Sequence, residues 1–315
     1  LNEYNYPIRT TYLLAAGLIR KNGIARIPYP GGCKIGNRGY DLHIYVWEAL
    51  GAKVTEKEDY IEIEAKDGFK KGEINFPITT IGGTENALIS ASTITGKTTI
   101  KNAYISPEVE DLIKFLRTLG AKISVVGNSY IEVYGRNSLK GSIYKVMPDR
   151  IEALTWIVYA ILAGGNVVVE DVPFQTMEIP FIHLKETGIQ LFKNDSSVFI
   201  NSDCKVNGVI QPFEIATGSH PGIISDMQSF FVLLGLYADG ISRVYDYRYP
   251  ERIKYCAELN KMFPDQLKWE LGQITTYGQR KSCPKGALVQ STDLRESMAL
   301  VISALLSKGD TEVRN

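Results

Sequence analysis

The chain is poor in the residues that build metal and redox sites. It has three histidines, His43, His183 and His220, and four cysteines, Cys33, Cys204, Cys256 and Cys283, which stand far apart with no Cys-x-x-Cys spacing. That pattern speaks against a zinc site or a disulfide framework, and a reducing cytoplasm is the expected setting. No metal and no organic cofactor is expected. Charge of one sign is not in excess either: 35 basic against 35 acidic residues leave a formal net charge of zero. No global field draws nucleic acid, so an anion site has to be assembled locally from arginines and helix N-termini. The longest apolar runs, such as 230–237, fall short of the roughly 20 residues that span a bilayer. A secretory signal peptide is not expected either. The first residue is Leu1 rather than a methionine, and the sequence stops at Asn315 inside the strand pattern Thr311-Glu312-Val313-Arg314. The expectation is therefore a part of a longer protein.

At 315 residues, 44% hydrophobic and 22% charged, the chain suits two packed domains. Its elements recur. An apolar helical pattern over 10–19, closed by Lys21-Asn22-Gly23, leads to a strand at 24–27, a helix at 41–50, the turn Gly51-Ala52-Lys53 and strands around Val54 and 60–63. A helix at 85–95, a strand at 98–101, a helix at 107–119, the turn Gly120-Ala121-Lys122 and strands at 123–126 and 130–133 repeat that order. It restarts at Asp149, Asp226 and Asp293. With Arg9 and Glu85 as the first markers, the steps are 76, 64, 77 and 67 residues. A period near 70 with two helices and about four strands is a βαβαββ unit, too large for a solenoid repeat. A boundary is expected near Met147-Pro148, after a strand at 144–146, dividing the chain into domains 1–147 and 148–315.

Chemistry concentrates in Pro30-Gly31-Gly32-Cys33-Lys34-Ile35-Gly36-Asn37-Arg38-Gly39. So many glycines bend the backbone and let it approach something closely. Lys34 and Arg38 set positive charge near the Cys33 thiol, which lowers its pKa from about 8.5. The residues alone leave two readings open, a reactive thiol and a small buried cysteine in a glycine-rich turn. Likewise, Asp226 and Asp293 are acids at helix starts, which also suits plain N-caps, and Arg252 and Arg295 suit solvated helix surfaces as well as an anion site. Gly96-Lys97-Thr98 is no phosphate loop, because a helix runs into a strand there rather than the reverse.

The cysteine loop resembles that of the enolpyruvyl transferases. The resemblance continues through Gly82-Gly83-Thr84-Glu85-Asn86, Pro148-Asp149-Arg150-Ile151-Glu152, His220-Pro221 with Ser225-Asp226-Met227-Gln228, Glu251-Arg252 and Thr292-Asp293-Leu294-Arg295, in the family's order. It implies an α/β fold of two domains, each an inside-out α/β barrel of three βαβαββ units with helices within and sheets outside. It also implies transfer of the enolpyruvyl group of phosphoenolpyruvate to a nucleotide-sugar hydroxyl with release of phosphate. In that reading Cys33 is the general acid and Asp226 the base or positioning group for the attacking hydroxyl. Arg38, Arg252 and Arg295 hold the anionic groups, and Asp293 is the active-site aspartate beside the last arginine. Tyr40, Asp41 and Leu42 contact uridine; Thr80, Ile81 and Gly82 form the diphosphate turn.

The implied partners are a uridine nucleotide sugar and phosphoenolpyruvate, and the implied acceptor is the 3-hydroxyl of UDP-N-acetylglucosamine, at the head of peptidoglycan synthesis. Ile78 stands where the cell-wall members usually carry a phosphate-binding lysine. Arg248 and Tyr249 stand where smaller or apolar neighbours of the amino sugar are expected. The family's N-terminal Lys-Asn pair and a late arginine have no counterpart in the sequence. The alternatives are thus a transferase acting on another uridine nucleotide such as UMP, or a non-catalytic nucleotide-binding paralogue.

Overall fold

The computed structural model describes residues 8–29 and 39–314. These divide into two compact units, one of residues 8–29 and 39–147, the other of 148–314.

In the first unit a 3-10 turn, Arg9–Leu14, runs into α1 (Ala15–Asn22), followed by β1 (Ile24–Pro28), α2 (Asp41–Ala49), β2 (Lys53–Glu56) and β3 (Tyr60–Glu64). Next come β4 (Glu73–Asn75), α3 (Ile81–Ser92), β5 (Gly96–Lys101), α4 (Pro107–Thr118), β6 (Lys122–Val126) and β7 (Tyr130–Gly135). The boundaries follow local chemistry. Gly23, at φ 69°, ends α1 in the left-handed region, its amide on the Ile19 carbonyl. Ser106 caps α4, Pro107 opens it, and Glu108 and Glu110 sit at its positive end.

In the second unit the order is α5 (Arg150–Ala163), β8 (Val167–Val169), α6 (Glu178–Glu186), β9 (Phe192–Lys193), β10 (Val198–Ile200) and β11 (Glu214–Thr217). It continues with α7 (Gln228–Leu236), β12 (Ile241–Asp246), α8 (Lys254–Met262), β13 (Leu267–Glu270) and β14 (Gln273–Tyr277), then β15 (Leu288–Gln290), α9 (Leu294–Leu306) and β16 (Glu312–Arg314).

The repeat is visible in the sheets. Strand order β4-β5-β7-β6 in the first unit equals β11-β12-β14-β13 in the second. In both, the first pair is parallel and the others antiparallel. β1-β3-β2 and β8-β10-β9 repeat the antiparallel part. α7 is buried at every residue, and α3 at all but four, so these helices form the centres of the two cores. The strands instead alternate, β7 and β14 burying every second residue, which leaves their other faces outward. This is the helices-within, sheets-outside arrangement.

One constraint recurs with it. The last strand of each βαβαββ unit ends beneath the carbonyl end of that unit's first helix. There the Arg136 amide bonds the Ser92 carbonyl at 3.0 Å, and the Gln279 amide the Leu236 carbonyl at 3.2 Å. The preceding residues are Gly135 and Gly278, and a Cβ on either would enter the carbonyl oxygens of Ala91 and Ile94, or of Gly235 and Ala238.

Three expectations change. The helix expected over 85–95 spans Ile81–Ser92, because Thr80 caps it and Gly83 fits its first turn, where a Cβ would meet Thr80 Cγ2 at 2.5 Å and Phe76 Cε1 at 3.0 Å. The glycines thus lie inside the helix rather than ahead of it. The strand expected over 144–146 has no ladder partner; the Tyr144 hydroxyl donates to Asp111 Oδ1 at 2.7 Å, tying the segment to α4. The helix expected from Asp226 starts at Gln228, after a 3-10 turn Ser225–Met227.

Gly135→Ala is expected to destabilise the first unit by about 3 kcal/mol or to prevent its folding. Gly141→Ala, with nothing within 4 Å of the added Cβ, should be near neutral; equal denaturation midpoints for the two variants would contradict the close approach.

Candidate active site

In the second unit, three helix entries converge on one guanidinium. Arg252, just ahead of α8, donates from Nη1 to Asp226 Oδ1 at 2.7 Å and to Ser225 Oγ at 3.2 Å, both in the turn before α7. From Nε it donates to Asp293 Oδ2 at 3.1 Å. Asp293 in turn caps α9, its Oδ1 accepting the amides of Arg295 at 2.7 Å and Glu296 at 2.9 Å. Arg295 returns to Asp226, Nε to Oδ2 at 3.7 Å. The side chains of Arg252 and Asp293 are 3% and 1% exposed, those of Asp226 and Arg295 41% and 27%. The buried pair therefore supports an accessible acid and an accessible cation.

A second tier holds the turn. Asp246, at the end of β12, takes the amides of Arg248 at 3.0 Å and Tyr249 at 2.8 Å on Oδ1. Its Oδ2 accepts the Ser225 hydroxyl and Gln228 Nε2, and the Tyr255 hydroxyl donates to Gln228 Oε1 at 3.0 Å. Every buried acceptor here has a donor, as burial requires. Arg150, in the first turn of α5, lies 3.3 Å through Nη1 from His220 Nδ1, and the His220–Pro221 peptide is cis.

The electrostatics follow from burial. Desolvation opposes charge on Arg252, but Asp293 and Asp226 outweigh it and push the guanidinium above its ordinary value. Burial, and then the charge of Asp293, push the Glu296 carboxyl up to about 7. Glu296 Oε1 lies 3.9 Å from Arg252 Nε, and its Oε2 accepts the Thr292 hydroxyl.

In the first unit, Tyr40, Asp41 and Leu42 lie at the start of α2, and Thr80, Ile81 and Gly82 at the start of α3. His43 joins the two: a Cβ on Gly82 would stand 3.3 Å from its Cε1 and Nε2. The imidazole is buried against the Tyr12 ring, centroids 4.7 Å apart. Burial, helped by Arg9, holds it neutral by lowering its pKa to about 4. The Tyr40 hydroxyl donates to Glu56 Oε2 at 2.7 Å, which pushes it up to about 12.

Sequence reasoning thus named four side chains that meet, Asp226, Arg252, Asp293 and Arg295, and two segments that meet, around Tyr40 and Thr80. Cys33 and Arg38 lie outside the described residues. Arg248 is exposed, its guanidinium 6.0 Å from the Tyr249 ring centroid. Ile78 is 63% exposed. Cys204 and Cys256 are buried. Ser225, Asp246, Gln228 and Glu296 were not foreseen. Ser225 and Gln228 stood in the quoted motif without a role of their own, and Glu296 left only the Asp-x-x-Glu spacing of an ordinary capping box.

A family model described as EPSP synthase (3-phosphoshikimate 1-carboxyvinyltransferase) matches residues 8–315. The chain belongs to this family. Among curated relatives, a UDP-N-acetylglucosamine 1-carboxyvinyltransferase of Zymomonas mobilis is 35% identical over 308 residues, covering 97% of this chain and 70% of the relative. One of Halothermothrix orenii is 36% identical over 314 residues, covering 99% and 73%. Among solved structures, the enolpyruvyl transferase NikO from Streptomyces tendae aligns with a TM-score of 0.80 at 22% identity, over 96% of this chain and 71% of that one. An EPSP synthase from Acinetobacter baumannii aligns with a TM-score of 0.71 at 16% identity, over 97% and 73%. The two structures establish the enolpyruvyl transferase fold.

Asp293→Ala removes a cap and strands a buried cation, so a loss of about 4 kcal/mol is expected. Asp149, which caps α5 through the amides of Ile151 and Glu152, should cost only about 1 kcal/mol when replaced by Ala. Urea unfolding compares the two, and equal losses would deny Asp293 its second role. For His43, folding excludes the charged imidazole, so its contribution is complete above about 6.5 and is lost as the pH falls toward 4, about 3 kcal/mol in all. The melting temperature of His43→Gln should accordingly fall less between pH 7 and 5 than that of the unaltered protein.

Proposed function

We propose that this protein transfers the enolpyruvyl group of phosphoenolpyruvate to the 3-hydroxyl of UDP-N-acetylglucosamine and releases phosphate, the first committed step of peptidoglycan synthesis. The observation that carries the reading is an identity of about 35% across nearly the whole chain to relatives bearing that activity in their name. The arrangement around Arg252 supports it.

The reaction adds a hydroxyl to carbon 2 of phosphoenolpyruvate and then eliminates phosphate. It needs a base for the hydroxyl, an acid for the methylene carbon and cations for carboxylate and phosphate. Asp226, accessible and oriented by Arg252, takes the hydroxyl proton as the new C–O bond forms. Cys33 protonates the methylene carbon. That proton is lost again as the C–O bond to phosphate breaks. Arg38, Arg252 and Arg295 balance the anionic groups, with Asp293 holding Arg252. In the first unit, Tyr40, Asp41 and Leu42 contact the uridine and Thr80, Ile81 and Gly82 the diphosphate, where the first amides of α3 suit an anion; Arg248 faces the acceptor sugar. No cofactor enters these steps. Among the described residues no helix is long and apolar enough to cross a membrane; the proposed location is the cytoplasm.

The test is phosphate release from phosphoenolpyruvate by the full-length protein, with UDP-N-acetylglucosamine, UMP and shikimate 3-phosphate offered separately. Release with the first alone is expected. Release only with UMP would transfer the activity to another uridine nucleotide, and silence with all three would favour a binding protein. Asp226→Asn should lower kcat by about 100-fold or more without unfolding the protein; an unchanged kcat would remove Asp226 from the chemistry.

A further inference from the structure

Asp246, at the end of β12, is 1% exposed, and its two oxygens serve two different segments. Oδ1 accepts the amides of Arg248 at 3.0 Å and Tyr249 at 2.8 Å, just past the strand. Oδ2 accepts the Ser225 hydroxyl and, at 3.3 Å, Gln228 Nε2, both at the entry of α7. All four partners are donors, so the group serves as a carboxylate. Ser225 has one hydroxyl hydrogen and gives it to Asp246, which turns a lone pair toward Arg252 Nη1 at 3.2 Å. The same nitrogen donates to Asp226 Oδ1 at 2.7 Å. A continuous chain of hydrogen bonds thus runs from the backbone of 248–249 through Asp246, Ser225 and Arg252 to the accessible acid.

The repeat supplies a comparison. Gly96, which opens β5, pairs with Gly135, and in the second unit the Gly278 amide bonds the Gly240 carbonyl at 2.9 Å. The sixth residue after Gly96 is Asn102, and the sixth after Gly240 is Asp246. Asn102 closes its corner as a neutral amide, donating from Nδ2 to the Phe76 carbonyl at 2.9 Å, while α3 takes its cap from Thr80. The βαβαββ corner therefore forms without a buried charge. Desolvating a carboxylate there is costly and calls for a reason besides the fold. The carboxylate stands in the unit that carries Asp226, and it takes its hydroxyl donor from the residue just before Asp226.

We infer that Asp246 is a further positioning residue of the reaction: it fixes segment 247–249 against the turn carrying Asp226, so that the base meets the hydroxyl it deprotonates. The inference rests on the function proposed above, in which Asp226 is the base and Arg248 faces the acceptor sugar. Its effect passes along two arms. Oδ1 sets where the acceptor lies, and Oδ2 sets the direction of Asp226 through Ser225 and Arg252. The arms can be cut separately. Asp246→Asn keeps an oxygen for the two amides but sets an NH2 against Gln228 Nε2 and takes away the acceptor of the Ser225 hydroxyl. Ser225→Ala cuts the same arm one link further on and leaves both oxygens of Asp246 in place. Asp246→Ala cuts both.

The test uses the full-length protein, with phosphate release from phosphoenolpyruvate and UDP-N-acetylglucosamine as one readout and hydrogen exchange of the Arg248 and Tyr249 amides as the other. Asp246→Asn and Ser225→Ala should each lower kcat about tenfold, as a displaced reacting group does, with both KM values within about twofold. Asp246→Ala should lower kcat as much and raise the KM of the acceptor about tenfold, leaving that of phosphoenolpyruvate in place. The two amides should stay protected in Asp246→Asn and exchange about tenfold faster in Asp246→Ala. A part confined to the fold would lower the melting temperature and leave the kinetic constants unchanged; that result, or a joint rise of both KM values, overturns the proposal. Should Asp246→Ala fail to fold, the other two variants decide. Silence of the unaltered protein with every acceptor refutes the proposed reaction and this role with it, whereas an active protein whose Ser225→Ala variant keeps its constants refutes the role alone.

Discussion

The second unit depends on satisfying one buried guanidinium. Arginine does not shed its proton in a protein, so Arg252 enters the interior only with carboxylates already in place. Asp226 and Asp293 supply them from two different helix entries, and Asp293 cannot turn to Arg252 without also receiving the first amides of α9. One charge thereby sets the turn before α7, the entry of α8 and the start of α9. The accessible Asp226 and Arg295 are rigid because what stands behind them is not free to move.

Around that charge, the repeated βαβαββ pattern does the positioning. Central helices that are apolar almost all round need protein on every side, which the amphipathic sheets provide. Close approach of Gly135 and Gly278 to the ends of α3 and α7 brings sheet and helix together at the same place in both units. Helix N-termini then emerge on loops fixed at both ends. In the first unit the same logic brings α2 and α3 together through His43 and Gly82, neutral imidazole against bare backbone, so that the contact itself buries no charge.

Of the three residues expected to depart from the family's usual pattern, two lie at the surface, and Tyr249 is half-buried. Ile78 and Arg248 are exposed beside the elements that would meet the nucleotide and the sugar. Substitutions at these exposed positions leave the buried network around Arg252 untouched, since exposed substitutions leave the core packing intact.

Much of the fold was legible, because its signals are local. Asp149 and Asp293 each precede an apolar run of helical period, and each caps a helix. The strand patterns at 60–63 and 130–133 fell within β3 and β7, and the 70-residue echo marked the repeated unit. Where local and tertiary demands conflict, reading failed. Gly82-Gly83 reads as a turn, yet Thr80 and Phe76 leave room there for nothing larger, and the helix takes the glycines in. The alternation at 144–146 found no strand to pair with. α6, with Pro180 in its first turn, and the short α8 carry too little pattern to be bounded alone. The residue types of the candidate site were likewise determined by the sequence. What only the tertiary structure decided was their state: Asp-x-x-Glu is an ordinary solvated capping box until Arg252 arrives from 41 residues away and burial removes the water. Then burial pushes the same carboxyl up from its ordinary value, because the energy of a charge depends on what surrounds it, and chain neighbours are only a part of that.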